Sequence, residues 1–543
     1  MLKKIFKLFF GRFLWIGLIL LIEVALAIFF IIFGANILEL IAAVIAVLSS
    51  GEPNLDVIES VLDFFVMFIL FVFDFILMTY IVNSKANTSY KITWLFVVGL
   101  LPVIGGILYL MFGNKNTTKR MKRKLQPIHD ATKHFEIEQH VHDALVKDEK
   151  DLSALNLANY IVKECGTNLT KNTEVTYFKS GEDAWPHMLH ELLKAKHYIF
   201  LEYFIIERGL FWNSIVDILA QKVQEGVDVR VMYHDVGSIQ TIPTFYPRKL
   251  RKMGIKCVAY NRFKPFVNVK LNNRDHRKIL VIDGKVGFTG GINLADEYVN
   301  KKVRFGYWKD NSIMLKGESV HNLTQLFLAN WVSVNKSGYD ELSDPKYEAF
   351  KYQDESEKIN PSGYVQPYGD IPYDDEAVGE RVYIQLINKA QHYIYITTPY
   401  LIIDDEMTNA LCNAAKSGVN VVLLTPHIPD KKMVFNVTRS YYDPLLEAGV
   451  KIYEFTPGFV HEKMFIVDDI FGTVGTINLD YRSLYLHLEN GVFLYKCDCL
   501  KDMKKDYEES IASSEEITLE KYKKLRRGKK VLWSLLRVFA PLM

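Results

Sequence analysis

The sequence predicts an α/β protein of two repeated lobes that share one site, preceded by apolar N-terminal segments. Three observations predict it. The pattern HxKxxxxD stands at His276, Lys278 and Asp283 and again at His461, Lys463 and Asp468, each copy followed by a small-residue turn ending in Asn293 or Asn478. Short stretches rich in Ile, Val and Tyr alternate with helix-length segments ending in Gly, which calls for buried, mostly parallel or mixed sheets. Hydrophobic content is 49%, with 13% aromatics, high for a soluble chain and concentrated at the front.

Residues 1–112 contain apolar runs at 13–33, 61–82 and 93–112, each near the ~20 residues a helix needs to cross a bilayer core. No small-residue cleavage site follows the first run, which argues against a removed signal peptide. Lys3, Lys4, Lys7 and Arg12 precede it, whereas the loop around Glu52, Asp56 and Glu59 has no basic residue, so the N-terminus is expected on the cytoplasmic side and the loop outside. Lys85 and Lys91 follow the second run, and Lys115, Lys119, Arg120, Lys122, Arg123 and Lys124 follow the third. Both flanks of the third run therefore read as inside. Its centre, Leu101-Pro102-Val103-Ile104-Gly105-Gly106, holds helix breakers, so a re-entrant or interfacial hairpin is favoured over a full span. The stretch Ile37 to Leu48 offers an alternative crossing. Glu23 and Asp74 lie inside apolar runs, where a hydrogen bond within a small helix bundle is favoured over a functional role. The expected location is the cell membrane, multi-pass, with the catalytic part on the cytoplasmic side.

Residues 113–169 read as a basic juxtamembrane linker with helices. Two lobes follow, 170–335 and 372–515, joined by a polar linker, 336–371, that carries Pro345, Asp354, Glu355 and Pro361. The repeat is longer than the motif: Ala195-Lys196-His197-Tyr198-Ile199-Phe200 matches Ala390-Gln391-His392-Tyr393-Ile394-Tyr395, Gly226-Val227-Asp228-Val229 matches Gly418-Val419-Asn420-Val421, and Gly254-Ile255-Lys256 matches Gly449-Val450-Lys451. Each half reads strand, helix, strand, helix, strand, then the motif strand. Ahead of its motif the first copy has an extra stretch in which Arg262, Phe263, Lys264, Pro265, Phe266, Lys270 and Arg274 mix basic and aromatic groups; contact with lipid head groups and a solvated loop are equally open. The tail 516–543 interleaves Lys529, Lys530 and Arg537 with Val531, Leu532, Trp533, Leu535, Leu536 and Phe539, the pattern of an amphipathic helix on anionic membrane, with packing on the protein as the alternative. A net charge of +2 does not point to nucleic acid, and five scattered cysteines without paired spacing do not point to a metal or redox centre.

Side chains two apart on a strand share a face, so His276 points with Lys278 and His461 with Lys463. Asp283 and Asp468 lie about 16 Å further along an extended strand, so within this expected catalytic set they are read as braces at the strand ends. A reacting imidazole needs a partner on its other ring nitrogen. Asp310 and Glu489, on returning strands after the Asn turns, are nominated for that orienting role. Two Lys and the amides of Asn293 and Asn478 converging with two imidazoles suit a phosphodiester anion whose charge grows in the transition state. One imidazole attacks phosphorus while the other, protonated, supplies the leaving oxygen with its proton, and the roles reverse in the second half-reaction. No metal or cofactor is required.

The two motifs, with Asn273-Arg274-Asp275-His276-Arg277-Lys278, Phe305-Gly306-Tyr307-Trp308-Lys309-Asp310, Thr397-Thr398-Pro399-Tyr400 and Gly475-Thr476-Ile477-Asn478-Leu479-Asp480-Tyr481-Arg482-Ser483, resemble the phospholipase D superfamily and, within it, the bacterial cardiolipin synthases. One departure is His487-Leu488 before Glu489, where the family pattern usually has Asn and Phe. The resemblance implies phosphatidyl transfer: one phosphatidylglycerol loads the enzyme as phosphatidyl-histidine and releases glycerol, and the hydroxyl of a second attacks to form cardiolipin. It also implies His276 as nucleophile and His461 as acid. The expected partners are phosphatidylglycerol and anionic membrane lipid, not nucleic acid. A membrane-bound phospholipase D that hydrolyses head groups, or passes the phosphatidyl group to another alcohol, shares every catalytic residue and is the alternative. Oligomeric state stays open.

Overall fold

The computed structural model describes residues 55–113, 139–148, 152–262, 273–334, 359–374 and 376–542. The run 13–33 with Glu23, the stretch 37–48, the basic cluster 115–124, the loop 263–272 and most of the linker 336–371 lie outside the described residues. The chain forms two compact units, Met1–Lys115 with Phe263–Leu271, and Asn116–Arg262 with Asn272–Met543.

In the first unit, Leu55–Asn83 is one helix that extends past both ends of the run 61–82. Thr88–Leu100 follows, its first turn capped by Asn87, whose side chain accepts the Ser89 N–H at 3.0 Å. The third apolar run does not continue as one helix. It breaks at Pro102 and Val103, whose φ of 68° puts a β-branched residue in the left-handed region, and Asp74 Oδ2 accepts the Val103 N–H at 3.1 Å. Asp74 thus forms the packing hydrogen bond expected of an acid in a small bundle. The chain then returns along itself: Tyr109 meets Trp94 with ring centroids 5.3 Å apart, and the Tyr90 hydroxyl donates to Gly113 O at 3.2 Å. A Cβ on Gly105 would lie 2.5 Å from Val97 O, so the tight return requires glycine. Residues 88–113 therefore form a helical hairpin. Among the described residues, no helix is long and apolar enough to cross a membrane.

The second unit holds two mixed sheets with one strand order. In the first lobe the order is Thr173–Phe178, Ser312–Gly317, Val286–Gly290, Lys278–Ile282, Tyr198–Tyr203, Asp228–His234, Lys256–Tyr260. In the second it is Tyr364–Asp370, Glu489–Tyr495, Phe471–Gly475, Met464–Val467, Tyr393–Thr397, Asn420–Pro426, Lys451–Phe455, with Ser514–Glu516 added at the edge. The last three strands of each common order are parallel and joined by helices, while the motif strand and those on its other side are antiparallel. The strand Tyr364–Asp370 corrects the boundary expected at 371: every residue in it is buried and it pairs with Glu489–Tyr495, so it belongs to the second lobe and not to the linker. Sequence reading missed it because strands carry little pattern where both faces are covered.

Alternation within the motif strand divides the core. Leu280 and Ile282 pack among the helices of their own lobe, whereas Ile279 and Val281 join Met464 and Ile466 in a cluster drawn from both lobes. The lobes therefore share a core. In the tail, the helix Arg527–Val538 buries Trp533 against the helix Lys432–Ser440, with Trp533 Nε1 donating to Asn436 Oδ1 at 3.2 Å, and leaves Val531, Leu532 and Leu535 exposed. The tail helix thus packs on the protein through one face and exposes apolar side chains on the other.

Candidate active site

Two short contacts across the lobes place the motifs. Tyr307–Lys309 pairs in parallel with Gly458–Val460, and the His461 N–H donates to Lys309 O at 2.7 Å. On the other side Asp275 bridges to Leu488, and the His276 N–H donates to Leu488 O at 2.8 Å. Each histidine is thus held by the residue immediately before the acid of the other lobe. As a result the acids are exchanged: Glu489 Oε2 accepts from His276 Nδ1 at 3.0 Å, and Asp310 Oδ2 from His461 Nδ1 at 2.7 Å. A carboxylate only accepts, so the proton of each neutral ring sits on Nδ1 and the lone pair on Nε2. All four side chains are buried.

Each motif lysine folds back on its own histidine. Lys278 Nζ donates to His276 O at 2.6 Å, and Lys463 Nζ donates to His461 O while lying against that ring. The motif aspartates stand apart from this group. Asp283 accepts the backbone N–H groups of Lys196, His197 and Tyr198 at 2.7, 2.8 and 2.7 Å, and Asp468 those of Gln391, His392 and Tyr393 at 2.6, 2.9 and 2.7 Å. Both sit at positive φ, 52° and 53°, which an Asp tolerates. They tie the motif strand to the start of its neighbour and are not placed to touch a reacting atom. The two asparagines are not equivalent. Asn293 accepts from Ile205 N at 3.0 Å and donates to the Tyr298 hydroxyl at 2.8 Å, so its amide braces the loop and only one N–H is left for a phosphate. Asn478 is buried, and its Oδ1 has no partner among the described residues.

The turn residues differ for a steric reason. A Cβ on Gly291 would lie 1.9 Å from Asp310 Oδ1, whereas the corresponding Thr476 donates its hydroxyl to Glu489 Oε2. The second motif positions lock the frame. Buried Arg277 pairs with Glu202 at 2.7 Å, and Glu462 pairs with Lys309 at 2.8 Å, which also meets Asp506 at 2.7 Å.

Burial sets the electrostatics. It holds His276 and His461 well below the usual imidazole range, with Lys278 and Lys463 adding to the effect on both. It pushes Lys278 down to about 7, aided by Lys463, and pushes Lys463 down to about 8 against the pull of Asp310. It raises Asp310 to about 7 despite Lys463, so His461 and Asp310 compete for one proton. A dry site in which ammonium and imidazolium are both disfavoured is relieved by an anion. His276, His487 and Glu489 bring three ligand-type atoms within 4.8 Å, but Lys278, Lys463 and Arg274, whose charges all act on His276, oppose a cation there.

Comparison with known proteins agrees with this geometry. The family described as cardiolipin synthase, PLD-like domain, matches residues 188–331 and 383–511, and a phospholipase D-nuclease N-terminal family matches residues 66–114. Cardiolipin synthase 2 of Bacillus anthracis is 34% identical over 85% of this chain and 88% of its own length. The chain belongs to the cardiolipin synthase family of the phospholipase D superfamily. It is an enzyme of the phosphatidyltransferase class. Cardiolipin synthase of Geobacillus sp. (strain WCH70) is 35% identical over 85% of this chain and 90% of its own length. An uncharacterized protein of Streptococcus mutans is 46% identical over 86% of this chain and 99% of its own. The crystal structure of phosphatidylserine synthase from Haemophilus influenzae aligns with a TM-score of 0.52 at 15% identity, covering 72% of this chain and 97% of that one, which shows a common fold.

Within this cardiolipin synthase family site, Thr476, Arg277 and the Lys309–Glu462 pair were not selected by sequence reading, and His487 entered only as a departure from the family pattern. His487 Nδ1 lies 3.3 Å from Glu489 Oε1 and its ring 5.6 Å from that of His276. Glu489 thus serves two imidazoles, whereas at the corresponding place beside Asp310 stands Trp308. The signal for Thr476 was available, as a hydroxyl within the small-residue turn. The cross-lobe ion pairs had none.

Proposed function

We propose that this chain makes cardiolipin and glycerol from two phosphatidylglycerol molecules by a two-step transfer through His276. The exchange of orienting acids across the lobes carries this reading, because it gives one site two imidazoles that each engage a carboxylate through Nδ1 and keep the lone pair on Nε2, which in His461 lies 3.1 Å from Lys463 Nζ. His276 Nε2 attacks phosphorus, the P–N bond forms, and the P–O bond to glycerol breaks. His461, protonated at Nε2 under the negative field of the substrate and of Asp310, gives its proton to the departing oxygen. The second phosphatidylglycerol then passes its hydroxyl proton to the neutral His461 and attacks phosphorus. The P–N bond breaks and His276 is restored. Lys278 and Lys463 hold the non-bridging oxygens, with Asn478 and the remaining N–H of Asn293 beside them. The atoms balance without a nucleotide, since one phosphodiester replaces another.

The apolar segments of residues 1–112 and the exposed apolar stripe of the tail support attachment to the cytoplasmic face of the cell membrane, where confinement raises the effective concentration of the acceptor lipid. The relatives named cardiolipin synthase support the same choice of product. The test is to give the purified protein labelled phosphatidylglycerol in vesicles. Cardiolipin with an equal amount of glycerol is expected, and both products are expected to vanish in His276→Ala and His461→Ala. Phosphatidic acid without cardiolipin refutes the synthase reading. A trapped phosphohistidine that maps to His461 reverses the assigned roles.

A further inference from the structure

A transferase of this kind must hold a second lipid whose own phosphate stays intact, one glycerol unit from the attacked phosphorus. The fold brings a separate basic corner next to His276. The amides of the consecutive residues His487 and Leu488 donate to the carbonyls of Arg482 and Arg274 at 2.9 and 2.7 Å, so the backbones of these two arginines, one from each lobe, flank His487, and the charge of Arg274 acts on its ring. Arg274 makes no side-chain hydrogen bond or ion pair among the described residues, and its Nε is buried without a partner. The charge of Arg482 acts directly on Arg274 and, after burial, is the main influence lowering it to about 10. Asp480 is the acid that offsets either guanidinium, and its Oδ1 already caps the helix Tyr481–Tyr485 by accepting the Ser483 N–H at 2.9 Å. His487 is 6% exposed, donates Nδ1–H to Glu489, and keeps an Nε2 without a partner among the described residues. Burial holds it well below the usual imidazole range, so this nitrogen is a neutral acceptor.

Arg274, whose guanidinium has no ion-pair partner among the described residues, offers N–H donors in the geometry that suits a phosphate, and Arg482, which donates Nη2–H to Leu542 O at 3.5 Å, adds a second positive charge there. An imidazole acceptor beside them matches a hydroxyl, which a phosphodiester lacks and a glycerol head group has. Resting on the proposed phosphatidylglycerol reaction, we infer that Arg274, Arg482 and His487 form the acceptor subsite, where the guanidiniums bind the phosphate of the second phosphatidylglycerol and His487 Nε2 accepts from its secondary hydroxyl. The donor phosphate belongs to the two motif lysines. The corner beside His276 is thus what separates transfer to an anionic lipid from transfer to a small neutral alcohol.

The test compares two acceptors on the same phosphatidyl-enzyme. Full-length protein in phosphatidylglycerol vesicles is supplied with labelled glycerol, and cardiolipin is measured against labelled phosphatidylglycerol formed by exchange. Arg274→Gln is expected to lower the ratio of cardiolipin to exchange product tenfold or more and to raise the share of phosphatidic acid, while Arg274→Lys keeps most of the ratio. Arg482→Gln is read in the same way, which covers the case in which one substitution prevents folding. A ratio within twofold of wild type in every folded variant, whether both products fall together or neither does, overturns the subsite. The wild-type control is separate: if it forms exchange product and phosphatidic acid but no cardiolipin, the phosphatidylglycerol reaction itself fails.

Discussion

Asp310→Asn should weaken catalysis and strengthen the fold, and both effects follow from one buried carboxylate. Asp310 is 0% exposed and stands 2.7 Å from His461 Nδ1. A unit charge about 4 Å from the centre of an imidazolium, at an effective dielectric near 20, is worth about 4 kcal/mol. The replacement amide recovers part of that by hydrogen bonding, but its N–H faces Nδ1 and shifts the ring proton to Nε2, the tautomer that cannot take a proton from the acceptor hydroxyl. A loss of roughly 2–4 kcal/mol corresponds to a ~30- to ~1,000-fold fall in kcat. The fold gains in the opposite sense. A carboxyl titrating near 7 when folded and near ~3.9 when unfolded favours the folded state fully below about pH 4 and loses that contribution as pH rises to about 7, a change of about 4 kcal/mol. The amide has no such dependence. The melting temperature of Asp310→Asn relative to wild type should therefore rise between pH 4 and pH 7 and level off above. Labelled phosphatidylglycerol turnover and thermal unfolding across that range measure the two effects. A fall in kcat of less than threefold, or a melting difference that does not change with pH, refutes the reasoning.

The alkaline limb should come from the lysines: with Lys278 pushed down to about 7 and Lys463 to about 8, kcat/KM is expected to fall as pH rises through that interval, while kcat falls less because bound phosphate holds both ammonium groups charged. A kcat/KM flat to pH 9 contradicts those shifts. Asp468→Ala removes a carboxylate that holds three backbone N–H groups and leaves Ala at positive φ, so unfolding should become easier by about 2–4 kcal/mol in denaturant titration, with the folded fraction keeping its specific activity within about threefold. Gly291→Ala drives a Cβ to within 1.9 Å of Asp310 Oδ1; turnover should fall at least tenfold, whereas Thr476→Ser, which keeps the hydroxyl on Glu489, should stay near wild type in the same assay.

Much of this was legible in the residues because the repeat is written twice. Strand and helix periodicity outlined both lobes, and the i, i+2 rule put each His with its Lys. The distance argument that removed Asp283 and Asp468 from the chemistry holds for a physical reason: an extended strand carries side chains past the reach of a hydrogen bond within two residues. The strand Tyr364–Asp370 was missed because burial on both faces erases alternation, so it fell within the stretch read as linker from Pro345, Asp354, Glu355 and Pro361. The nomination of Asp310 and Glu489 rested on their place after the Asn turns, which says nothing of which histidine each meets.

By itself the sequence determined the two-lobed α/β plan, the twin His and Lys pairs, the bracing role of the motif aspartates and the membership of a phosphatidyl-transferring family. These depend on local spacing, which short-range geometry dictates. Only the tertiary structure decided that Glu489 serves His276 and Asp310 serves His461, that Thr476 and His487 share Glu489, and that the carbonyls of Arg482 and Arg274 hold the amides of His487 and Leu488. These contacts join residues far apart in the chain, and what brings them together is the burial of two apolar sheet faces in one core, where the cross-lobe pairing of Tyr307–Lys309 with Gly458–Val460 sets the register.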